Sequence, residues 1–270
     1  MVTKSAKAHR IAVISGKGGV GKTVITANMA AALSARGRRI LVVDADLGLA
    51  NMDILLGVDP PFTMQDVFEG RRPLEDIVLR TKKGFDLLPA GSGLPMWASL
   101  TTALTENVTS ILASLDCRYD ALLFDAGAGV GDVVLYFAGL ADEILLVATP
   151  EPTSMMDAYA TIKIIHQLDK RNEFLLVVNQ ADPAQSARIG RMVAKHLQGV
   201  MSEFLDAGAG EIPVKLELVG AIPQDPAIPE SIRQRKLLCE IHPQAPSTQL
   251  MNELAGFLNT RMSAAPVGVS

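Results

Sequence analysis

Gly16-Lys17-Gly18-Gly19-Val20-Gly21-Lys22-Thr23 fills every position of the phosphate-loop pattern G-x-x-x-x-G-K-[ST]. Its neighbours are the ones that pattern needs. Ile11-Ala12-Val13-Ile14 stands before it, a short apolar run suited to a parallel sheet covered on both faces. Thr26-Ala27-Asn28-Met29-Ala30-Ala31-Ala32-Leu33 follows, Ala-rich and free of breakers, which predicts a helix. In that order the loop's backbone N–H groups and the positive end of the helix converge on one point, a site for anionic phosphate. Gly16, Gly18, Gly19 and Gly21 permit positive φ and close approach of phosphate to the main chain. Lys22 is placed to reach the β- and γ-phosphates and Thr23 to ligate Mg²⁺. Val20 and Val24 complete the loop's expected nucleotide contacts.

The chain has 270 residues, 49% of them hydrophobic and 20% charged, enough for one large α/β domain. A net charge of -4 supplies no overall basic field for nucleic acid or anionic lipid. Cys117 and Cys239 are the only cysteines and form no CxxC pattern, which points to a reducing, cytoplasmic setting. Residues 1–9 are expected to form a flexible arm, 10–262 the P-loop domain and 263–270 a flexible tail. Met1 to Arg10 is polar and basic with no apolar core, so it reads as neither signal peptide nor membrane span.

Apolar runs continue the α/β alternation. Ile40–Val43, Phe85–Pro89, Tyr119–Phe124, Glu143–Ala148, Phe174–Val178 and Leu216–Ala221 read as strands. Helices are expected at Thr63–Phe68, Leu100–Leu115, Ser154–Asp169, Gln185–Leu205, Pro229–Arg235 and Thr248–Met262, with a helical turn at Asn51–Leu56. The implied fold class is a single-domain α/β P-loop NTPase: a mostly parallel twisted sheet with helices on both faces. Three carboxylates fall at strand ends, where open α/β sheets bind ligands. Asp125, in a Walker B position, suits a Mg²⁺-bound water, with Asp44 in support and Asp46 orienting the attacking water. His9, His166, His196 and His242 show no metal-ligand spacing and read as surface groups.

Lys17 through Thr23 resembles the deviant Walker A motif of the MinD/ParA class of ATPases. That resemblance implies ATP/ADP and Mg²⁺ as ligands, and an ATP-dependent homodimer in which Lys17 crosses to the partner's nucleotide. Asp44 through Gly57, Asp125 through Asp132, and Thr149 through Ser154 with Asp157-Ala158-Tyr159 resemble more specifically the flagellar-number regulators FlhG and FleN. The similarity covers about residues 10 to 240. It implies a hydrolytic switch read by flagellar assembly or regulatory proteins; a MinD-like division-site role or another ParA-like positioning role is the alternative. Met1 to Arg10 contains nothing like the DQAxxLR-like segment by which FlhG-type proteins stimulate the GTPase FlhF. By the same resemblance Asn179 contacts adenine, and the Ile222-Pro223-Gln224-Asp225 stretch, through Pro223 and Asp225, forms the other wall of the base pocket.

Class members attach peripherally to the inner membrane face through a C-terminal amphipathic helix, here expected at 248–262. Leu250, Met251, Leu254, Phe257, Leu258 and Met262 fall on one helical face. Arg261 is the only cation there, offset by Glu253, whereas surface-binding helices usually carry a basic polar face. This favours packing on the domain over membrane contact.

Overall fold

The computed structural model describes residues 7–46, 51–89, 101–205 and 213–264. Most of the N-terminal arm and tail, Leu100, and Leu47 to Ala50 within the Asp44–Gly57 stretch therefore lie outside the described residues.

The central strand is β1 (His9–Ser15), flanked by β5 (Ala121–Ala128) and β6 (Glu143–Ala148). Outward from β5 come β2 (Ile40–Ala45), β4 (Asp86–Leu88) and β3 (Leu79–Arg80); outward from β6 come β7 (Glu173–Ala181) and β8 (Lys215–Pro223). Every pairing is parallel except β3 with β4. The expected mostly parallel sheet is thus the observed one.

Period-two alternation sends neighbouring side chains to opposite faces. Ile11 and Val13 join one core while Ala12 and Ile14 join the other; Ile40 and Val42 part from Leu41 and Val43 in the same way. The first core is roofed by α1 (Lys22–Ser34), α2 (Met52–Leu56) and α11 (Pro246–Ala264). The second is roofed by α3 (Met64–Phe68), α5 (Thr102–Leu115), α6 (Asp132–Leu140), α7 (Pro152–Asp169) and α8 (Ser186–Phe204). α4 (Leu74–Ile77), α9 (Ala227–Gln234) and α10 (Leu238–Ile241) are short. Small Ala27, Ala30 and Ala31 of α1 are all buried, so the sheet and α11 approach that helix closely.

The apolar stripe of α11 is turned inward: Met251, Leu254, Ala255 and Leu258 are buried, with Leu250, Phe257 and Met262 partly so. Arg38 of the α1–β2 turn donates to Asn259 Oδ1 at 2.7 Å, and Arg261 Nε donates to Glu143 Oε1 at 2.5 Å. The helix is therefore seated on the domain, and no helix among the described residues is long and apolar enough to cross a membrane. Leu258→Ala should cost about 2–5 kcal/mol in urea unfolding, from lost transfer energy plus a cavity. Exposed Glu253→Ala, the control, should stay within about 0.5 kcal/mol of the parent. Equal midpoints for the two variants would show that the stripe is not buried in solution.

Two readings are corrected. His166 is 7% exposed, not a surface group: it lies on the inward face of α7 with Ile162 and Ile165, its ring Nδ1 2.8 Å from Arg171 O. His9 and His242 are half-buried and lie 3.6 Å from Glu143 and 2.9 Å from Glu230, leaving His196 alone exposed. The second correction is α6, β3, α4 and α10, which were not anticipated. Val133 to Leu140 is an unbroken apolar run, and short runs of that kind do not distinguish helix from strand by period.

Candidate nucleotide site

β1 is where the strand order reverses, with β5 on one side and β6 on the other, so its C-terminal end opens into the crevice where such sheets take ligands. The loop from Gly16 to Gly21 occupies that crevice and runs straight into α1. Gly21 caps α1 in the left-handed region at φ 95°, and a Cβ there would fall 2.4 Å from Asn179 Nδ2. Gly16 has an ordinary φ, yet a Cβ on it would meet the main chain of Asp157 in α7 at 2.3 Å. Gly16→Ala must therefore displace backbone rather than a mobile side chain. It should cost about 1–3 kcal/mol as overpacking and lower both the thermal midpoint and ATP affinity. An unchanged midpoint in the nucleotide-free protein would contradict that contact.

Lys22 is buried at 8% exposure and donates to Ser15 Oγ at 2.9 Å, while Ser15 Oγ itself donates to Lys17 O at 2.7 Å. Burial holds the Lys22 ammonium below the usual lysine range, opposed by attraction to Asp125 and Asp46. Ser15 was missed in the sequence, since a residue just before a P-loop carries no chemical signature.

Strand register brings the carboxylates together. Asp44 of β2 pairs directly with Asp125 of β5, although 81 positions separate them in the chain. Burial, reinforced by repulsion from Asp125, pushes the Asp44 carboxyl well above its ordinary range; N–H groups of Asp46 and Met52 at 3.3 and 3.4 Å oppose this. Burial likewise raises Asp125 to about 6, against a hydrogen bond from Thr23 and the charge of Lys22. Thr26 Oγ1 donates to Asp125 Oδ1 at 3.3 Å, a second hydroxyl the sequence reading did not single out. Asp46 is half-buried, with its carboxylate about 3.5 Å from where a Cβ on Gly127 would stand. The Thr23 hydroxyl and the Asp44 and Asp125 carboxylates are hard oxygen donors with surplus negative charge, a set that fits Mg²⁺.

Lys17 is directed elsewhere. Its Nζ lies 2.6 Å from Glu151 Oε2 and 3.1 Å from Thr153 Oγ1, at the start of α7, rather than among the carboxylates. Both partners of the ion pair are solvent-exposed, so the pair is worth about 0–1 kcal/mol and does little to hold the lysine.

Beside the loop, a cleft of about 610 Å³ runs between the ends of β7 and β8 and the start of α9. Gly21, Val24, Asn179, Gln180, Pro223 and Asp225 are among its lining residues. Asn179 Nδ2 donates to Val20 O at 2.7 Å, while its buried Oδ1 has no partner among the described residues, leaving an acceptor beside the cleft. Asp225 reaches the cleft too, but its oxygens accept from Ala227 N at 2.9 Å and from Ser247 N and Oγ at 3.2 and 2.7 Å. Its carboxylate ties the start of α9 to that of α11.

Comparison with known proteins is consistent along nearly the whole chain. The ParA family model, described as NUBPL iron-transfer P-loop NTPase, matches residues 6–258. The antiactivator FleN of Pseudomonas aeruginosa is 37% identical over 245 residues, 91% of this chain and 84% of that protein. The flagellum site-determining protein YlxH of Helicobacter pylori is 32% identical over 264 residues, 96% of this chain and 84% of that protein. The septum site-determining protein MinD of Pyrococcus horikoshii, solved with Mg-ADP, has a TM-score of 0.74 at 25% identity, covering 97% of this chain and all of that one.

Proposed function

Since the chain belongs to the ParA family of P-loop NTPases, we propose that it is a Mg²⁺-dependent ATPase whose ATP-bound form is a homodimer governing flagellar number or placement. The observation that carries this reading is the division of labour between two lysines of one loop. Lys22 faces the carboxylate cluster of its own site, and Lys17 points outward on a weak exposed ion pair.

The loop's N–H groups and Lys22 hold the β- and γ-phosphates, and Thr23, Asp44 and Asp125 hold Mg²⁺, which neutralises phosphate charge when bound. Asp46, half-buried beside Gly127, orients the water that attacks the γ-phosphate in line. Adenine enters the cleft lined by Val24 and Pro223, and the unpartnered Asn179 Oδ1 accepts from its amino group. Lys17 leaves Glu151 and neutralises the partner's phosphates across the dimer. Hydrolysis removes the charge that drew it there, and the protomers part. Burial of the α11 stripe supports domain packing over membrane attachment.

Iron transfer, the activity in the family model's description, has less support in this chain. Cluster carriers hold iron through closely spaced cysteine thiolates, and Cys117 and Cys239 lie on separate elements, after α5 and in α10. The flagellar assignment rests on the similarity to FleN and YlxH. It is tested by deleting the gene in its own cell and counting flagella and septa. Altered flagellar number or position with normal septa is expected; misplaced septa with normal flagella would favour a MinD-like role instead.

A further inference from the structure

At the sheet edge opposite the phosphate loop, where β2 and β4 begin, lies a second cleft of about 390 Å³. Arg38, Arg39, Arg80 and Arg118 converge on it, against the carboxylates of Glu75 and Asp86. A concentration of guanidinium groups in one concavity is unexpected in a chain whose net charge is -4.

The charge there is only partly neutralised. Arg39 is held by Asp120, which accepts from its Nε and Nη2 at 3.2 and 2.7 Å, so its fork is fixed in place. Arg38 lines the cleft, but its fork is turned to α11, donating to Asn259 Oδ1 at 2.7 Å and Ser263 Oγ at 2.5 Å, and its charge also acts on Asp120. Arg80 pairs with Asp86 through the β3–β4 ladder, but its side chain is exposed and its guanidinium has no hydrogen bond or ion pair among the described residues. Among the described residues the Arg118 guanidinium pairs with Glu75 alone, at 3.8 Å and with both groups exposed. Asp86 is engaged by the Tyr119 hydroxyl at 2.8 Å.

We propose that this cleft binds a phosphorylated small molecule carrying at least two phosphates. Guanidinium forks match phosphate oxygens in pairs, and the two incompletely neutralised forks of Arg80 and Arg118, beside the fixed fork of Arg39, call for more than a single anionic group. The volume lies within the range of small-ligand pockets. Its concavity favours such a ligand over duplex nucleic acid or an acidic protein face, which need an open basic surface. The site is separate from the phosphate loop, and Arg38 and Arg39 lie in the turn between the far end of α1 and the start of β2.

The test is calorimetric. With the phosphate loop saturated by Mg-ADP and Mg²⁺ in excess, inorganic pyrophosphate is titrated into the full chain. One further equivalent is expected to bind, more weakly as salt rises. The double variant Arg80→Ala/Arg118→Ala should bind roughly 100-fold more weakly, about tenfold per guanidinium lost. Its thermal midpoint and ATP turnover should be unchanged, since both side chains are exposed and distant from the nucleotide site. Arg80→Lys/Arg118→Lys should fall between the two, keeping charge without the forks. No second equivalent at millimolar pyrophosphate, or equal binding by the parent and alanine variants, would overturn the proposal. So would binding of a polyglutamate peptide or a DNA duplex, in the same format, without any binding of pyrophosphate. None of these results depends on whether the ATPase acts in flagellar control.

Discussion

Asp46→Ala is expected to bind ATP with the parent's affinity and to hydrolyse it roughly 100-fold or more slowly, the usual loss when a water-positioning carboxylate is removed. The separation of effects follows from position. The proposed phosphate cradle draws on loop N–H groups and on Lys22, whose ammonium donates to Ser15 Oγ at 2.9 Å. Asp46 lies at the end of β2 beside the end of β5, half-buried, and is coupled electrostatically to Lys22 and Asp125. Removing it also takes a negative charge from a crowded cluster, so binding has no reason to weaken. Single-turnover assays with separately measured ATP affinity check this. Turnover at the parent's rate would remove Asp46 from the mechanism, and a parallel loss of affinity would assign it to binding.

Lys22→Ala should weaken ATP binding sharply in calorimetry while leaving the nucleotide-free fold intact. Removing one partner of a buried charged contact costs about 2–5 kcal/mol, which lowers affinity by a factor of roughly 30 to several thousand. Without nucleotide the same lysine is a buried ammonium held below its usual pKa chiefly by desolvation, and among the described residues it donates to Ser15 alone. Its loss therefore relieves one cost while depriving Asp125 of a countercharge. These offset, so the nucleotide-free thermal midpoint should hardly change, whereas the rise in midpoint on adding Mg-ATP should be much smaller than the parent's at the same concentration. Retained affinity would contradict the cradle. A collapsed midpoint without nucleotide would make Lys22 a structural residue first.

What could be read from the sequence divides by range. The phosphate loop was legible because its chemistry is contiguous: Gly16 to Thr23 fixes strand, turn and helix together. The strands that supply Asp44 and Asp125 were legible as apolar runs, and the parallel sheet followed from their alternation with helices. Contacts between distant segments were not. The approach of Gly16 to Asp157, the seat of Lys17 on Glu151, and the bond from Asn179 to Val20 each depend on which strands become neighbours, and no local pattern encodes that. Asp225 shows the opposite case. The resemblance placed it in the base pocket, and it does line the cleft, but its carboxylate is occupied in tying α9 to α11. The small edge strand β3, only two residues long, has too little sequence to carry a period.

The central claim is that Lys17 acts across a dimer, and the most direct measurement is the ATPase rate of a mixture of Lys17→Ala and Asp46→Ala. Each variant alone should be nearly inactive: the first lacks the lysine that reaches across, the second the residue that orients water. In a mixed dimer the Lys17→Ala protomer keeps its own Asp46 and receives Lys17 from its partner, so one site is complete. Activity in the mixture is expected to stand well above the sum of the two variants and to rise with protein concentration. A mixture no more active than that sum, with Lys17→Ala alone dimerising in ATP and turning over at the parent's rate, would contradict it.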